Sequence, residues 1–345
     1  MVAHLSIIAT GCLRIQTAEP AIGEAFVAPA TLEVREEIAP RAKVAARLPH
    51  GARVEILARQ HRFAKVRVPY GGPSGWTDGR QLLSAKGMAV FRAEGERAAK
   101  LPPQGTATTA EPINVHISPN RASPSFHRLA EGDPVRIAAR VIRGRGPYAP
   151  PDTAATPTAP QSGEPRDEWC MVCLPDNRCG WVLSALLMIE LPDEIIQLAE
   201  GHRILSFFTL GATRDDRGRE HPVYLWTTSA ALSEHFDAFR VFAWNPARER
   251  YESAHHEKNL RGYPPVIVEG ARAEFIYAAP QSGSDAVERH RFELRGRKLA
   301  RLGSTPWQPP ATAPAWHATT LTDGRDEQPG WWERLRNWST LFHFR

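Results

Sequence analysis

Three of the four cysteines lie close together, as Cys170-x-x-Cys173 followed by Cys179, and two cysteines at that spacing form half of a common zinc site. We predict that all three lie on a strand hairpin. Positions an odd number of residues apart on a strand face opposite sides, so Cys170 and Cys173 diverge. We predict a turn at residues 176–177 that pairs Leu174 with Cys179. Cys179 then faces the same side as Cys170, but the two cysteines lie too far apart along the strands to form a disulfide. We therefore expect buried thiols that form neither a metal site nor a disulfide.

The other chemistry to consider is acid–base and nucleophilic catalysis. A thiol peptidase needs a cysteine at the start of a helix and a histidine further along the chain, and none of the three hairpin cysteines begins a predicted helix. His255, His256 and Glu257 lie in a predicted hairpin with no matching metal-ligand spacing elsewhere, which indicates solvated surface. No glycine-rich phosphate loop, nucleophile elbow or His-Glu-x-x-His motif occurs. We therefore predict no catalytic residue, no metal and no cofactor, and a protein that is not an enzyme.

The fourth cysteine ends a short apolar segment, residues 1–12, whose last residues are Ala9-Thr10-Gly11-Cys12. This segment resembles a bacterial lipobox, in which small residues precede a cysteine that is acylated. The resemblance implies lipidation of Cys12 and a lipid-anchored protein of the cell envelope. Ala9 stands where leucine is usual, and no Lys or Arg precedes Cys12, as a secretory signal requires; a start further upstream would supply them. The alternative is an ordinary N-terminal segment with a free thiol.

Composition limits the architecture and the partners. A chain of 345 residues suggests two or three domains, and its 30 prolines argue against a long helical architecture. The net charge of +5 is spread along the chain, and no nucleic-acid motif occurs, so we predict no nucleic-acid partner. Three segments rich in Pro, Ala, Thr and Gly are predicted to be a linker (92–110), a disordered insertion (143–166) and a disordered linker near the end of the chain (303–330).

An internal repeat is the strongest signal of organisation. The apolar positions of residues 32–56 recur without a gap at residues 113–137, and those of 63–83 recur at 169–187. The insertion separates the two halves of the second copy, and loop extension costs little closure entropy. Both copies contain a glycine in the hairpin and a later Gly-Trp pair: Gly51, Gly75, Trp76, Gly132, Gly180 and Trp181.

The two copies resemble bacterial Src-homology-3-like domains, whose usual pattern is a hydrophobic-Asn-Val-Arg strand, a Leu-x-x-Gly-x-x-Val-x-Ile hairpin, an aromatic-led strand and a closing Gly-Trp-Val. The domains would span residues 30–91 and 111–190. Glu33 replaces the usual asparagine in copy one, and His116 replaces the usual arginine in copy two, so a shared ligand is less certain than a shared fold. The resemblance implies binding of peptide or peptidoglycan in aromatic-lined grooves.

Alternation along the aromatic-led strands assigns their two faces. Phe63 and Trp169 lead these strands on the outer face, where an exposed aromatic ring would mark a binding groove. We predict Phe63, Tyr70, Trp169 and Met171 to bind the ligand, and the two tryptophans of the Gly-Trp pairs to lie in the core.

The rest of the chain is predicted to contain a third unit and a helix. In residues 199–302, apolar and polar residues alternate over runs of strand length, and this pattern predicts an antiparallel β domain. In residues 331–345, Trp331, Leu335, Trp338 and Phe342 form one stripe of a short amphipathic helix. That helix is expected either to lie in a membrane interface or to dock on the protein's own sheet.

The predicted fold class is therefore all-β: an N-terminal segment (1–29), two small Src-homology-3-like barrels, a third antiparallel domain and a short C-terminal amphipathic helix. We expect a non-enzymatic cell-envelope protein that binds peptide or peptidoglycan. Two alternatives are an intracellular protein-interaction scaffold without a lipid anchor and a cell-wall hydrolase with an unrecognised site.

Overall fold

A computed structural model describes residues 19–153, 165–199, 201–278 and 286–307. These residues form three antiparallel sheets of seven strands each and two α-helices, so the predicted all-β fold class is confirmed. Neither described helix has the length and hydropathy needed to cross a bilayer. Cys12 and the predicted helix with Trp331, Leu335, Trp338 and Phe342 lie outside the described residues.

The first sheet has the strand order β3-β2-β6-β5-β4-β1-β7. A short 3-10 helix at Gly79–Gln81 precedes its last strand, and β7 pairs with β1. The strands are β1 (Gly23–Val27), β2 (Thr31–Arg35), β3 (Val44–Pro49), β4 (Arg53–Gln60), β5 (Phe63–Arg67), β6 (Ser74–Asp78) and β7 (Leu82–Leu83).

The second sheet repeats the first, with the order β10-β9-β13-β12-β11-β8-β14. Each strand occupies the position of its counterpart seven strands earlier, so the repeat found in the sequence is also a repeat of structure. The strands are β8 (Thr106–Thr109), β9 (Ile113–His116), β10 (Ser125–Leu129), β11 (Pro134–Gly144), β12 (Arg166–Cys173), β13 (Cys179–Leu183) and β14 (Leu187–Ile189).

Steric crowding explains the glycine of each Gly-Trp pair. A Cβ on Gly75 would lie 2.4 Å from the carbonyl oxygen of Arg35, and one on Gly180 would lie 2.8 Å from the carbonyl oxygen of His116. The strand must therefore carry glycine where it passes the neighbouring strand of its own sheet. This packing requirement explains why both copies have a glycine at this position.

The predicted limits of the two copies miss their first strands and one helix. Strand β1 lies in the predicted N-terminal segment, and β8 lies in the predicted linker. Helix α1 (Ala85–Lys100) crosses from the predicted first domain into that linker. Ser84 caps α1 by accepting a hydrogen bond from the Gly87 amide at 2.9 Å. The helix was missed because its contact face contains small residues such as Ala98, which produce a weak apolar stripe.

The predicted insertion is ordered where it is described. Strand β11 continues to Gly144, and the phenol ring of Tyr148 packs against the core of the second sheet. The carboxylate of Asp152 accepts a hydrogen bond from Ser84, the N-cap residue of α1. Residues 154–164 lie outside the description. The first part of the insertion therefore folds back on the start of α1.

The third sheet is a simple meander in which each strand pairs with the next. A short helix, α2 (Asp193–Ile196), and a 3-10 turn (Gln197–Ala199) precede it. The strands are β15 (Arg203–Arg214), β16 (Glu220–Ser229), β17 (Phe236–Asn245), β18 (Arg250–Glu269), β19 (Arg272–Ala278), β20 (Glu288–Arg295) and β21 (Lys298–Pro306).

The second and third sheets pack against each other through buried polar contacts. The Gln104 side chain donates a hydrogen bond to the Val266 carbonyl at 3.0 Å and accepts one from the Val266 amide at 2.9 Å. Glu234 accepts a hydrogen bond from the Ile142 amide at 2.8 Å. Because these groups are buried or half-buried and satisfied, they fix the two sheets in one orientation.

Candidate functional site

The outer face of the second sheet is closed by helix α1. Trp169 and Met171 have relative exposures of 1% and 2%, and both pack with Ala98 of the helix. The prediction that these two residues line an open groove is therefore corrected. Trp181 is buried beside them, on this face rather than in the barrel core. Helix α1 occupies the surface where a ligand was expected.

The hairpin that carries three cysteines has a different register from the one predicted. Leu174 pairs with Arg178 through a backbone hydrogen bond of 2.9 Å, which leaves a three-residue loop with Asn177 in the left-handed region. Cys173 therefore lies directly opposite Cys179, with the Cα atoms 4.1 Å apart, and the two form a disulfide. The prediction of separate thiols was wrong because a shift of one residue moves every side chain of a strand to the other face.

The remaining described cysteine, Cys170, is unsuited to nucleophilic attack. Its thiol is fully buried in the core of the second sheet. Burial raises its pKa, so the reactive thiolate is disfavoured.

Within the described residues, no helix covers the equivalent face of the first sheet. Trp76 stands at its centre, paired with Lys65 on one side and Arg35 on the other, and all three are half-buried. Phe63 follows at the end of the same face, with the Arg62 guanidinium 4.9 Å from the ring centre. The predicted ligand residue Phe63 therefore lies on an accessible aromatic and cationic surface. Trp76 belongs to this surface, whereas the sequence placed it in the core.

Tyr70 lies at the tip of the loop between β5 and β6 and is fully exposed. Its φ of 62° is left-handed, and the loop is closed by a hydrogen bond of 3.0 Å from the Val68 amide to the Pro73 carbonyl. Tyr70 is thus exposed to solvent on a short, closed loop that connects the strand of Phe63 with the strand of Trp76.

A second cluster lies on the third sheet, where strands β18 to β21 bring together four ionisable side chains. The Tyr277 hydroxyl donates to a Glu257 carboxylate oxygen at 2.6 Å and accepts from Arg301 Nη2 at 2.7 Å. The same Nη2 donates to His290 Nδ1 at 2.8 Å. The rings of Tyr277 and His290 are stacked 3.8 Å apart. These contacts form one continuous hydrogen-bonded network.

His255 extends this network toward the surface. Its Nε2 lies 3.2 Å from the second Glu257 oxygen, and its ring stacks on Phe239. The pKa of Glu257 is lowered, although burial opposes this, because His255 and Tyr277 donate hydrogen bonds to its carboxylate. Burial lowers the pKa of His290 and raises that of Tyr277. At neutral pH the cluster therefore holds an ionised glutamate, a protonated tyrosine and a neutral His290.

Sequence reasoning found only part of this cluster. His255 and Glu257 were noticed and interpreted as solvated surface, whereas both side chains are about one quarter exposed and paired with each other. Tyr277, His290 and Arg301 come from three other strands, and only strand pairing brings them together. The available signal was the two-residue spacing of His255 and Glu257, which places both on one face of a strand.

Comparisons with known proteins give distant matches. No family model and no curated protein matches the chain. Similar solved structures include NlpC2 from Trichomonas vaginalis, 8% identical over 84% of this chain and 97% of that chain, with a TM-score of 0.18. NlpC1 from the same organism is 10% identical over 83% and 94%, with a TM-score of 0.17. An NlpC/P60 family protein from Bacillus cereus ATCC 10987 is 11% identical over 84% and 96%, with a TM-score of 0.21.

The prediction that the chain is not an enzyme is withdrawn, because the similar solved structures include an NlpC/P60 family protein. At TM-scores this low, the likeness assigns no activity and no catalytic residue to this chain.

Proposed function

We propose that this chain is an exported cell-envelope protein whose first sheet binds the peptide stems of peptidoglycan, and that the first two sheets are bacterial Src-homology-3-like domains. The difference between the two repeats supports the proposal most strongly. Helix α1 buries the outer face of the second sheet, and the same face of the first sheet leaves Phe63 and Trp76 accessible.

The open face combines aromatic rings with cations that are already paired. Lys65 lies 2.6 Å from a Glu19 carboxylate oxygen, Arg35 is paired with Glu33, and Arg62 lies 3.5 Å from Asp78. The aromatic centre can pack against the backbone of an extended peptide, and a peptide carboxylate would pair with these cations by replacing their present partners.

The disulfide and the N-terminal motif support export. Disulfides persist in oxidising compartments and are rare in the cytosol, so the Cys173–Cys179 bridge fits a periplasmic or extracellular domain. Acylation of Cys12 would attach the chain to a membrane. Mass spectrometry of the native N-terminus tests this point, and an unmodified Met1 would contradict lipidation.

The binding proposal is tested by sedimentation with purified peptidoglycan sacculi. The wild-type chain should cosediment, and Phe63→Ala or Trp76→Ala should weaken binding by about tenfold each. Met188→Ala is the matched control, since Met188 is an exposed apolar side chain of the second sheet, and it should leave binding unchanged. Equal binding by all four proteins would reject the open face as the ligand site.

The second candidate function is hydrolysis of the cell wall at the third sheet. The favouring observation is that Glu257 orients His255 through Nε2 and is itself held by Tyr277, an arrangement that suits a general base. Release of soluble fragments from labelled peptidoglycan tests it. His255→Gln should reduce release by about a hundredfold or more. His256→Gln, which alters the neighbouring histidine, should not. A wild-type chain that releases nothing would refute this candidate.

A further inference from the structure

A groove runs along the seam between the second and third sheets, on the surface opposite the Glu257 cluster. Phe207 and Tyr224 form one wall, with their rings stacked 5.3 Å apart. Pro103 and Pro192 contribute apolar surface, and Glu190 lies at its rim. The groove thus combines an aromatic and apolar wall with three polar side chains, those of Thr106, Glu190 and Thr209.

The aromatic wall continues beyond the groove as a row of half-buried rings across the sheet. Tyr251 lies 5.4 Å from Tyr224, Trp244 lies 5.4 Å from Tyr251, and His221 stacks on Trp244 at 4.2 Å. The rings come from neighbouring strands of one sheet. Helix α2 packs on part of this face through Ile195, so a ligand would contact the rings where the helix leaves them half-exposed.

The seam that holds the groove is rigid. The Phe207 amide donates to the Gln104 carbonyl at 3.1 Å, and the Gln104 amide donates to the Ile137 carbonyl at 2.7 Å. Gly105, which follows Gln104, has a φ of 136°, a backbone conformation that favours glycine. A preformed groove loses little entropy when it binds a ligand.

Two features select the class of ligand. Strand β15 is the edge of the third sheet, but the Phe207 amide is already bonded to Gln104, so a peptide cannot add there as another strand. The polar side chains of the groove are Thr209, Glu190 and Thr106, whose hydroxyl donates to Glu190 at 3.0 Å. Such a rim repels anions and accepts hydrogen bonds from hydroxyl and amide groups.

We propose that this groove and the ring row bind a neutral oligosaccharide of N-acetylated sugars. The apolar faces of the sugar rings would stack on Tyr224 and its neighbours, since an aromatic side chain combines a large apolar face with a polar tip. The acetamide methyl would contact Pro103 and Pro192, and the sugar hydroxyls would donate to Glu190. This site is separate from the peptide surface of the first sheet and does not depend on it.

The test is a titration of the full chain with chitotetraose, followed by calorimetry and by saturation-transfer NMR. Tyr224→Ala should weaken binding by about tenfold. Tyr224→Phe, which keeps the ring, should weaken it by less than about threefold. Leu302→Ala, an exposed apolar residue of β21, is the control and should bind as wild type. Circular dichroism melting confirms that each variant is folded.

Salt dependence separates a sugar from a cationic ligand at this acidic rim. Chitotetraose binding should be unchanged between low and high salt, because the ligand is neutral. Absence of chitotetraose binding by the wild-type chain would overturn the proposal, as would salt-sensitive binding of oligolysine to the same rings in its place. Because chitotetraose carries no peptide, its failure to bind leaves the proposed binding of peptidoglycan stems unaffected. Failure of the chain to bind peptidoglycan stems likewise leaves the proposed sugar site unaffected.

Discussion

Reduction of the Cys173–Cys179 bridge should destabilise the β12–β13 hairpin by about 2 kcal/mol. The two cysteines are separated by 6 positions in the sequence, so the bridge closes a short loop. In the chain-entropy relation, a bridge that closes a loop of this length lowers the entropy of the unfolded state and so raises its free energy by about 2 kcal/mol. Since each 1.4 kcal/mol is about a factor of ten, amides that exchange through hairpin opening should exchange about thirtyfold faster after reduction.

Hydrogen exchange measured by mass spectrometry, with and without dithiothreitol, checks this value on peptides that cover β12 and β13. The Cys173→Ala/Cys179→Ala variant should exchange rapidly and show no response to the reductant. Cys170→Ala is the matched control, because it removes a buried thiol outside the bridge and should keep the response. If the wild-type hairpin exchanges at the same rate in both conditions, the assigned register and its disulfide are wrong.

Three further outcomes follow from the packing. Trp169→Ala should lower the free energy of unfolding in urea by about 3–5 kcal/mol, since the ring is buried beneath α1. Phe63→Ala should lower it by less than about 1 kcal/mol, because Phe63 is half-buried on the open face. Equal losses of stability would contradict the contrast between the two faces. Ser84→Ala should cost about 1 kcal/mol and speed exchange in the first turn of α1, and unchanged exchange there would exclude its capping role. Burial lowers the pKa of His290 below its unfolded value of 6.5, so the folded state binds fewer protons than the unfolded state. The free energy of unfolding should therefore fall as the pH drops below about 6.5, and His290→Gln should flatten that pH dependence. A variant as pH-sensitive as wild type would refute this role of His290.

The repeat was predictable from the sequence because both copies need the same residues for the same local reasons. Gly75 and Gly180 are required where one strand crosses close to another, and alternating apolar residues fill each core. These requirements act over a few residues, so they are visible as a pattern. They do not give the seven-strand order, because β1 and β8 lie outside the predicted limits of the two copies.

Helix α1 was not predictable in the same way. Its buried face against the second sheet includes Ala98, whose small side chain gives little apolar signal. The helix owes its position to the second sheet, which offers Trp169 and Met171 for it to cover. A tertiary contact thus determined both the helix and the loss of the predicted groove.

Which cysteines pair depends on whether the loop after Leu174 has three residues or four. A loop of three residues after Leu174, rather than four, turns Cys173 toward Cys179. The cluster around Glu257 depended on pairing across β18 to β21, which brings Tyr277 and Arg301 from positions far apart in the sequence. Local periodicity places His255 and Glu257 on one face of a strand, but it contains no information about the loop length or about which strands pair.

The proposed binding of peptidoglycan stems by the first sheet is tested most directly by hydrogen exchange in the presence of muropeptides. Exchange is expected to slow in β5 and β6, residues 63–78, and to stay unchanged in the helix-covered strands at residues 169–183. Unchanged exchange at residues 63–78 under saturating muropeptide, or protection confined to residues 169–183, would contradict it.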